Sequence, residues 1–436
     1  MSKSLWGVVG TGALAVLVVL GMQGCGCSHQ GQDKNTIRFR YWGDTDEVKI
    51  IEGLVHDFEA ANPGVKVKPE RKNSDSTYAD VLLTEFASDS APDVIFVSTD
   101  NIDILADSNK LADLNPWLAK DPDLKADQYY DAMIKRFSKN GKLMVLPRDI
   151  APISCVYYNK DLFDKAGLAY PKDDWTWDDL RTDAMRLTKR GADGTLKQAG
   201  FADDWNLVDT WILSGGGKHL DDYFNPTKFT FAEGGALDGI LFRYKLLQVD
   251  KAMPSSSDSQ SLNGGSMALF LNNQLGMFHS GLWKTPGFRK IQNFKWDVAP
   301  FPRKKGTDPM YWAGGSGYTM KADAANPELC WKLIKFMAGP DGQKRIASTG
   351  LAQPALKALA NSPVFLDGQD PQNKKMLLYC AEHAQASPAW KPWVEFVDTM
   401  WRPMTDPMWI QGYTGDPDAL LKDLQDKANA KFFPAK

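Results

Sequence analysis

The sequence predicts an α/β protein, and three observations carry that reading. Strand-like and helix-like runs alternate from residue 36 onward. Residues 143–158 hold two extended apolar runs around Pro147 and Pro152, as a crossover into a second lobe would. The 436 residues suffice for two or three domains.

Residues 36–42, Thr-Ile-Arg-Phe-Arg-Tyr-Trp, alternate as a strand. Val48, Ile51, Leu54, Val55 and Phe58 then recur at helical spacing over residues 46–61, and Asn62-Pro63-Gly64 ends that helix. Val65 to Lys68 alternates again, Tyr78 to Ser88 is helical, and Asp93 to Val97 is a short buried strand. Strand–helix–strand–helix–strand implies a largely parallel sheet. Ligands bind outside the carboxyl ends of such strands, which places Trp42-Gly43-Asp44 and Ser98-Thr99-Asp100 at the binding edge.

Residues 117–140 read as polar and helical, and Asn159 to Leu168 as a short helix. Trp175 to Leu180 opens another helix, with Thr176 as N-cap and Asp179 at N3. Asp193-Gly194 marks a turn. Further on come a helix from Ser266 to Leu271, a strand from Leu275 to Phe278 and an extended run from Trp296 to Pro300. Tyr311 to Met320 is a strand broken by glycines, Asn326 to Met337 is a helix, and residues 341–436 are mostly helical.

Residues 5–20 form an apolar run behind Lys3, too short to span a membrane, and they read as the core of a signal peptide. Leu20-Gly21-Met22-Gln23-Gly24-Cys25 resembles a bacterial lipobox, in which the Cys becomes the lipidated N-terminus. Met22 departs from that pattern, Cys27 is a second candidate, and an uncleaved N-terminal anchor is the alternative. Residues 28–35 read as a flexible tether. Fifty-one basic against 54 acidic residues argue against a nucleic-acid partner. Beyond the lipobox pair only Cys155, Cys330 and Cys380 remain, so at most one disulfide can form among them. No HExxH, HxH or CxxC spacing occurs, so no metal site and no cofactor are expected.

Several segments together are similar to one family. They are the strand ending Tyr41-Trp42-Gly43, Phe58 to Val67, Ala91-Pro92-Asp93-Val94, Tyr158 to Phe163, Trp175 to Leu180, Met267 through Trp283, Val298 to Pro302, Gly314 to Gly317 and Ala324 to Glu328. Over residues 36 to 360 their order resembles the extracellular solute-binding proteins of bacterial carbohydrate ABC importers, the maltose-binding-like group. The resemblance implies a two-lobed periplasmic-binding-protein-like fold of the class II type. Its lobes are discontinuous, joined by hinge crossovers, and close around a ligand cleft. On this reading residues 1–24 are signal peptide and 25–35 tether. The N-terminal lobe takes 36–149 plus 314–350, and the C-terminal lobe 150–313 plus 351–436. The protein would be a lipid-anchored monomer of the cell envelope, on the periplasmic or extracellular face, that delivers sugar to the permease subunits.

A sugar offers apolar faces to aromatic rings and a hydroxyl rim to polar groups. Covering about 50–100 Å² of a Trp gives about 1–2.5 kcal/mol, whereas micromolar binding needs about 8 kcal/mol. Two or three stacks are therefore required. The candidates are Trp42, Asp44, Tyr78, Thr99, Asp100, Trp205, Ser280, Trp283, Trp312, Gly314, Gly315, Gln353 and Trp390, with Cys25 for lipidation. Tyr78, Trp205, Gln353 and Trp390 rest on where the family contacts its ligand. Gly314 and Gly315 would let backbone N–H groups approach the ligand. Trp117, Trp175, Trp177, Trp211, Trp296 and Trp331 read as packing. The glycerol-phosphate members pair Tyr and Arg on phosphate, and that pairing is absent from the matching late segments, so a neutral di- or oligosaccharide is expected. Two alternatives stay open. Asp44, Asp100, Asp203 and Asp204 could form a site for a cation such as a polyamine, and a pair such as Asp44 and Asp204 could serve a glycoside hydrolase.

Overall fold

The computed structural model describes residues 35–434 other than 44, 73–77, 153, 205–206 and 263. The signal peptide, the tether up to residue 34, Cys25, Asp44 and Trp205 therefore lie outside the described residues.

Sixteen strands are described. The first eight are β1 (Thr36–Tyr41), β2 (Lys66–Arg71), β3 (Val94–Ser98), β4 (Ser138–Lys139), β5 (Lys142–Leu143), β6 (Leu146–Pro147), β7 (Asp149–Pro152) and β8 (Cys155–Asn159). The rest are β9 (Lys189–Arg190), β10 (Leu196–Asp203), β11 (Leu275–Ser280), β12 (Trp296–Pro300), β13 (Tyr311–Gly314), β14 (Ser316–Met320), β15 (Gln353–Pro354) and β16 (Ala384–Ala386). One five-stranded sheet runs β2-β1-β3-β14-β6 and a second runs β12-β8-β11-β10-β9. A smaller sheet, β15-β7-β13-β16, lies on the crossovers, because β6–β7–β8 carries the chain out of the first sheet and β12–β13–β14 carries it back. This is the two-lobed arrangement.

β1 pairs in parallel with β2 and β3. The intervening helices Thr45–Ala61 and Tyr78–Ala87 supply the crossovers that parallel pairing requires. The first of these helices buries Val48, Ile51, Leu54, Val55 and Phe58, the stripe seen in the sequence. The expectation of a largely parallel sheet holds only in part. β14 is antiparallel to β3 and β6, and β8 is antiparallel to β11 and β12. The reason is directional. Strands such as β3 and β11 end at the cleft, whereas β8 and β14 enter from the hinge and run away from it.

Thr176 caps the helix Trp177–Leu187 in a reciprocal capping box with Asp179, as expected. Residues 117–140 differ from their helical reading. They break into the helices Asn115–Lys120 and Asp131–Arg136 and the hairpin β4–β5, which turns at Asn140-Gly141 with both φ positive. The C-terminal stretch is mostly helical but adds β15 and β16 to the hinge sheet. Cys155, Cys330 and Cys380 are buried free thiols. No helix among the described residues is long and apolar enough to cross a membrane.

Candidate functional site

A cavity of about 340 Å³ lies between the lobes, where the carboxyl end of β3, the residues after β1 and β11, and the hinge strands converge. Its first-lobe wall is Trp42, Gly43, Glu47 and Ser98 to Asp100. Its floor is Arg148, Asp149, Ala151, Gly314 to Ser316 and Leu351 to Gln353, and Leu282, Trp283 and Trp312 close it from the opposite side.

The half-buried Trp42 indole leans on Phe96, ring centres 4.8 Å apart. Its Nε1 is buried with no hydrogen-bond partner among the described residues. Tyr78 stands behind it, edge-on at 6.3 Å. The Tyr78 hydroxyl donates to the Phe96 carbonyl at 2.8 Å and burial pushes its pKa up, so it supports Trp42 without lining the cavity. Thr99 is buried; its N–H donates to the Gly315 carbonyl at 3.0 Å, and its own carbonyl accepts from Arg136.

Trp283 follows β11 in a short helical turn. A Cβ on Gly281 would fall 1.9 Å from its ring, so only glycine allows the indole to lie there. Trp312 is buried on β13 and belongs to the apolar cluster of the C-terminal helices, against which Trp283 also packs. Gly315 lacks a side chain for a reason the sequence did not show: a Cβ would meet Met133 Sδ at 2.4 Å and the Asp149 carbonyl at 2.9 Å. The glycine lets the crossover strands touch. Gln353 is 1% exposed; its Nε2 donates to the Tyr130 hydroxyl at 3.2 Å, and its Oε1 has no partner among the described residues.

Besides Tyr78, two more candidates fall outside the cavity lining. Ser280 is fully buried and donates to Asp204 Oδ2 at 2.9 Å, which fixes the residue before Trp205 rather than facing the cavity. Trp390 stacks on Phe433 at 5.0 Å within the C-terminal aromatic cluster, away from the cavity lining. Trp175, Trp177, Trp211, Trp296 and Trp331 are buried, and Trp117 stacks on Trp331.

The charges divide sharply. Arg148 lies over the Phe96 ring, 2.9 Å from Glu47 and 2.6 Å from Asp149. Asp149 also accepts from Ser316 N at 2.9 Å and Oγ at 2.7 Å. Burial opposes the Arg148 charge, but Asp149 and Glu47 outweigh it and its pKa rises. This buried network was missed in the sequence, although two signals were there. Glu47 stands on the apolar stripe of its helix, four residues before Ile51, and Arg148-Asp149 interrupts an apolar crossover.

Four acidic residues were candidates for a cation site; Asp44 lies outside the described residues, and the structure separates the other three. Asp203 is buried, 2.7 Å from His279 Nδ1 and 2.8 Å from Arg243 Nε. Burial would raise its carboxyl, yet the Arg243 charge and the His279 hydrogen bond hold it below the usual range. Asp204 pairs with Lys284 at 3.0 Å. Of these four, only Asp100 is among the described residues that line the cavity. Its side chain meets water, but the cleft walls surround the carboxyl, and that enclosure pushes its pKa up. Arg136 opposes the shift, and Asp209 of the second lobe and Asp103 reinforce it. Among the described residues no group of His, Cys, Asp and Glu is placed to hold a metal ion.

Solved structures share this architecture. An ABC substrate-binding protein from Listeria monocytogenes in complex with cycloalternan superposes with a TM-score of 0.80 at 24% identity, covering 92% of this chain and 99% of that one. Maltose-bound MalE3 of T. maritima gives a TM-score of 0.75 at 20% identity, covering 91% and 100%. In sequence, the galactooligosaccharide-binding protein of Bacillus subtilis is 24% identical over 82% of each chain. An "uncharacterized lipoprotein in oleD 5'region" of Streptomyces antibioticus is 30% identical over 77% of this chain and 73% of its own. Residues 42–344 match the family described as bacterial extracellular solute-binding protein, a span running from the first cavity tryptophan through both lobes. With two lobes, an aromatic cleft at the strand ends and that match over most of its length, the chain belongs to the bacterial extracellular solute-binding protein family.

Proposed function

We propose that this protein captures a di- or oligosaccharide in the interlobe cavity and hands it to the permease of an ABC importer. Family membership makes it an exported solute carrier rather than an enzyme. The carbohydrate reading rests above all on the cavity itself, where Trp42, Trp283 and Trp312 meet polar groups at the strand ends. Apolar sugar faces suit the rings, and hydroxyls suit Thr99, Asp100 and Gln353. The sugar-binding relatives support the same class. The ligand contacts are Trp42, Thr99, Asp100, Trp283, Trp312, Gly314, Gly315 and Gln353.

The lobes run 36–149 plus 314–350 and 150–313 plus 351–436, a division supported by the membership of the two large sheets. A lipid on Cys25 anchors a monomer in the cell envelope, on the periplasmic or extracellular face. The lipobox-like sequence supports that, as does the lipoprotein among the relatives.

Thermal unfolding of the full-length protein with mono-, di- and oligosaccharides tests the reading. Ligand at a hundred times its Kd stabilises the folded state by about 2.7 kcal/mol, so a micromolar sugar raises the Tm. A panel in which no saccharide moves the Tm refutes it.

A further inference from the structure

Among the described residues four charged side chains line the cavity, and three of them, one guanidinium and two carboxylates, pair with one another. Glu47, Arg148 and Asp149 form one buried network. The fourth, Asp100, makes no side-chain hydrogen bond or ion pair with any described residue; only its backbone N–H is engaged, with Ser98 Oγ. Arg136, whose charge reaches Asp100, is already committed. Its Nη1 and Nη2 hold the Asp103 carboxylate at 2.8 and 2.6 Å, and its Nε donates to Ser387 Oγ at 2.9 Å. Among the described residues the lining thus sets one guanidinium against three carboxylates.

The surroundings of Asp100 favour a cation over a neutral rim. Trp42, Trp283 and Trp312 share its cavity. Aromatic faces are negative, so they attract a cation and offer an unpaired carboxylate nothing. Independently, the buried Gln353 Oε1 lines the same cavity as an acceptor without a donor among the described residues. A hydroxyl rim would satisfy hydrogen bonds but leave the excess charge. An ammonium would meet both, through charge-assisted hydrogen bonds roughly twice as strong as neutral ones.

We infer that the saccharide bound in this cleft carries a protonated amine, and that Asp100 is the residue that selects it. The inference rests on the carbohydrate reading and sharpens it. The missing phosphate-binding pair argued against an anionic ligand, and it is silent on a positive one.

Isothermal titration of the full-length protein against gluco- and galacto-configured disaccharides and their 2-amino and 2-acetamido counterparts tests it. Each set keeps ring count and linkage and changes only the group at C2. The expected result is a preference of about tenfold or more for the amine over both neutral forms. That preference is lost in Asp100→Asn and kept in Asp100→Glu, with both variants unfolding cooperatively. Neutral sugars binding as tightly as amines, or a preference that survives Asp100→Asn, would overturn the inference and leave the carbohydrate reading standing. Binding by neither class would overturn both.

Discussion

Two aspartates, one at the cleft end of a strand in each lobe, have opposite surroundings. Asp203 closes β10 with both carboxylate oxygens occupied, by His279 on one side and Arg243 on the other, and it is 6% exposed. Asp100 follows β3, meets water, and has no side-chain partner among the described residues. The same side chain thus serves two purposes. At Asp203 a closed network joins the second sheet to the C-terminal helices, because Arg243 in turn lies 4.2 Å over the Trp409 ring. At Asp100 the carboxylate lines the cavity without a partner among the described residues, as the amine proposal requires.

The largest effect expected from breaking this contrast is at Asp203. Asp203→Ala strands the Arg243 charge in a buried site, and losing one partner of a buried pair costs about 3–5 kcal/mol. Urea unfolding measures it, and a loss under about 1 kcal/mol would mean that water reaches Arg243. The sign with pH follows from the lowered carboxyl. The Asp203 contribution is present above the unfolded-state value of about 3.9 and is lost as pH falls through the lower folded value. The urea difference between wild type and variant should therefore shrink in acid.

A middle-sized effect tests whether the aromatic side of the cleft is functional. Removing the ring in Trp283→Ala forfeits about 1–2.5 kcal/mol of sugar contact, a rise in Kd of about 5- to 70-fold. Trp390→Ala, in the aromatic cluster with Phe433, should leave Kd unchanged. Titration calorimetry of the two variants separates them. Equal losses would place Trp390 at the ligand and contradict the geometry.

These two tryptophans also show how far the sequence could be read. Local rules were legible: the helical stripe of Thr45–Ala61, the capping box at Thr176, and strand ends that place Trp42 and Asp100 at one edge. Each depends on spacing within a few residues. Contacts between distant segments were not legible. Nothing near Trp390 shows that Phe433 waits for it, and nothing near Ser280 shows that Asp204 accepts its hydroxyl. The packing reason for Gly315 was hidden because the facing Met133 lies far off in sequence. The antiparallel placement of β8 and β14 was hidden for the same reason. It depends on where the chain crosses the hinge, which no local pattern encodes.

The smallest effect carries the finest test of the contrast. Asp100→Asn is expected to leave the free protein at least as stable as wild type near neutral pH. The carboxyl of Asp100 is pushed up first by enclosure and then by Asp209 and Asp103, with Arg136 opposing. A carboxyl raised in the folded state contributes most below its unfolded-state value of about 3.9, and that contribution is lost as pH rises through the folded value. Wild type should therefore fall progressively behind the Asn variant in Tm as pH rises above about 4. Thermal unfolding of both proteins without sugar checks the sign. A Tm gap that favours wild type and grows with pH would show that Asp100 has a partner in the free protein. In that case the two aspartates would be alike, and the cleft would have no charge left for its ligand.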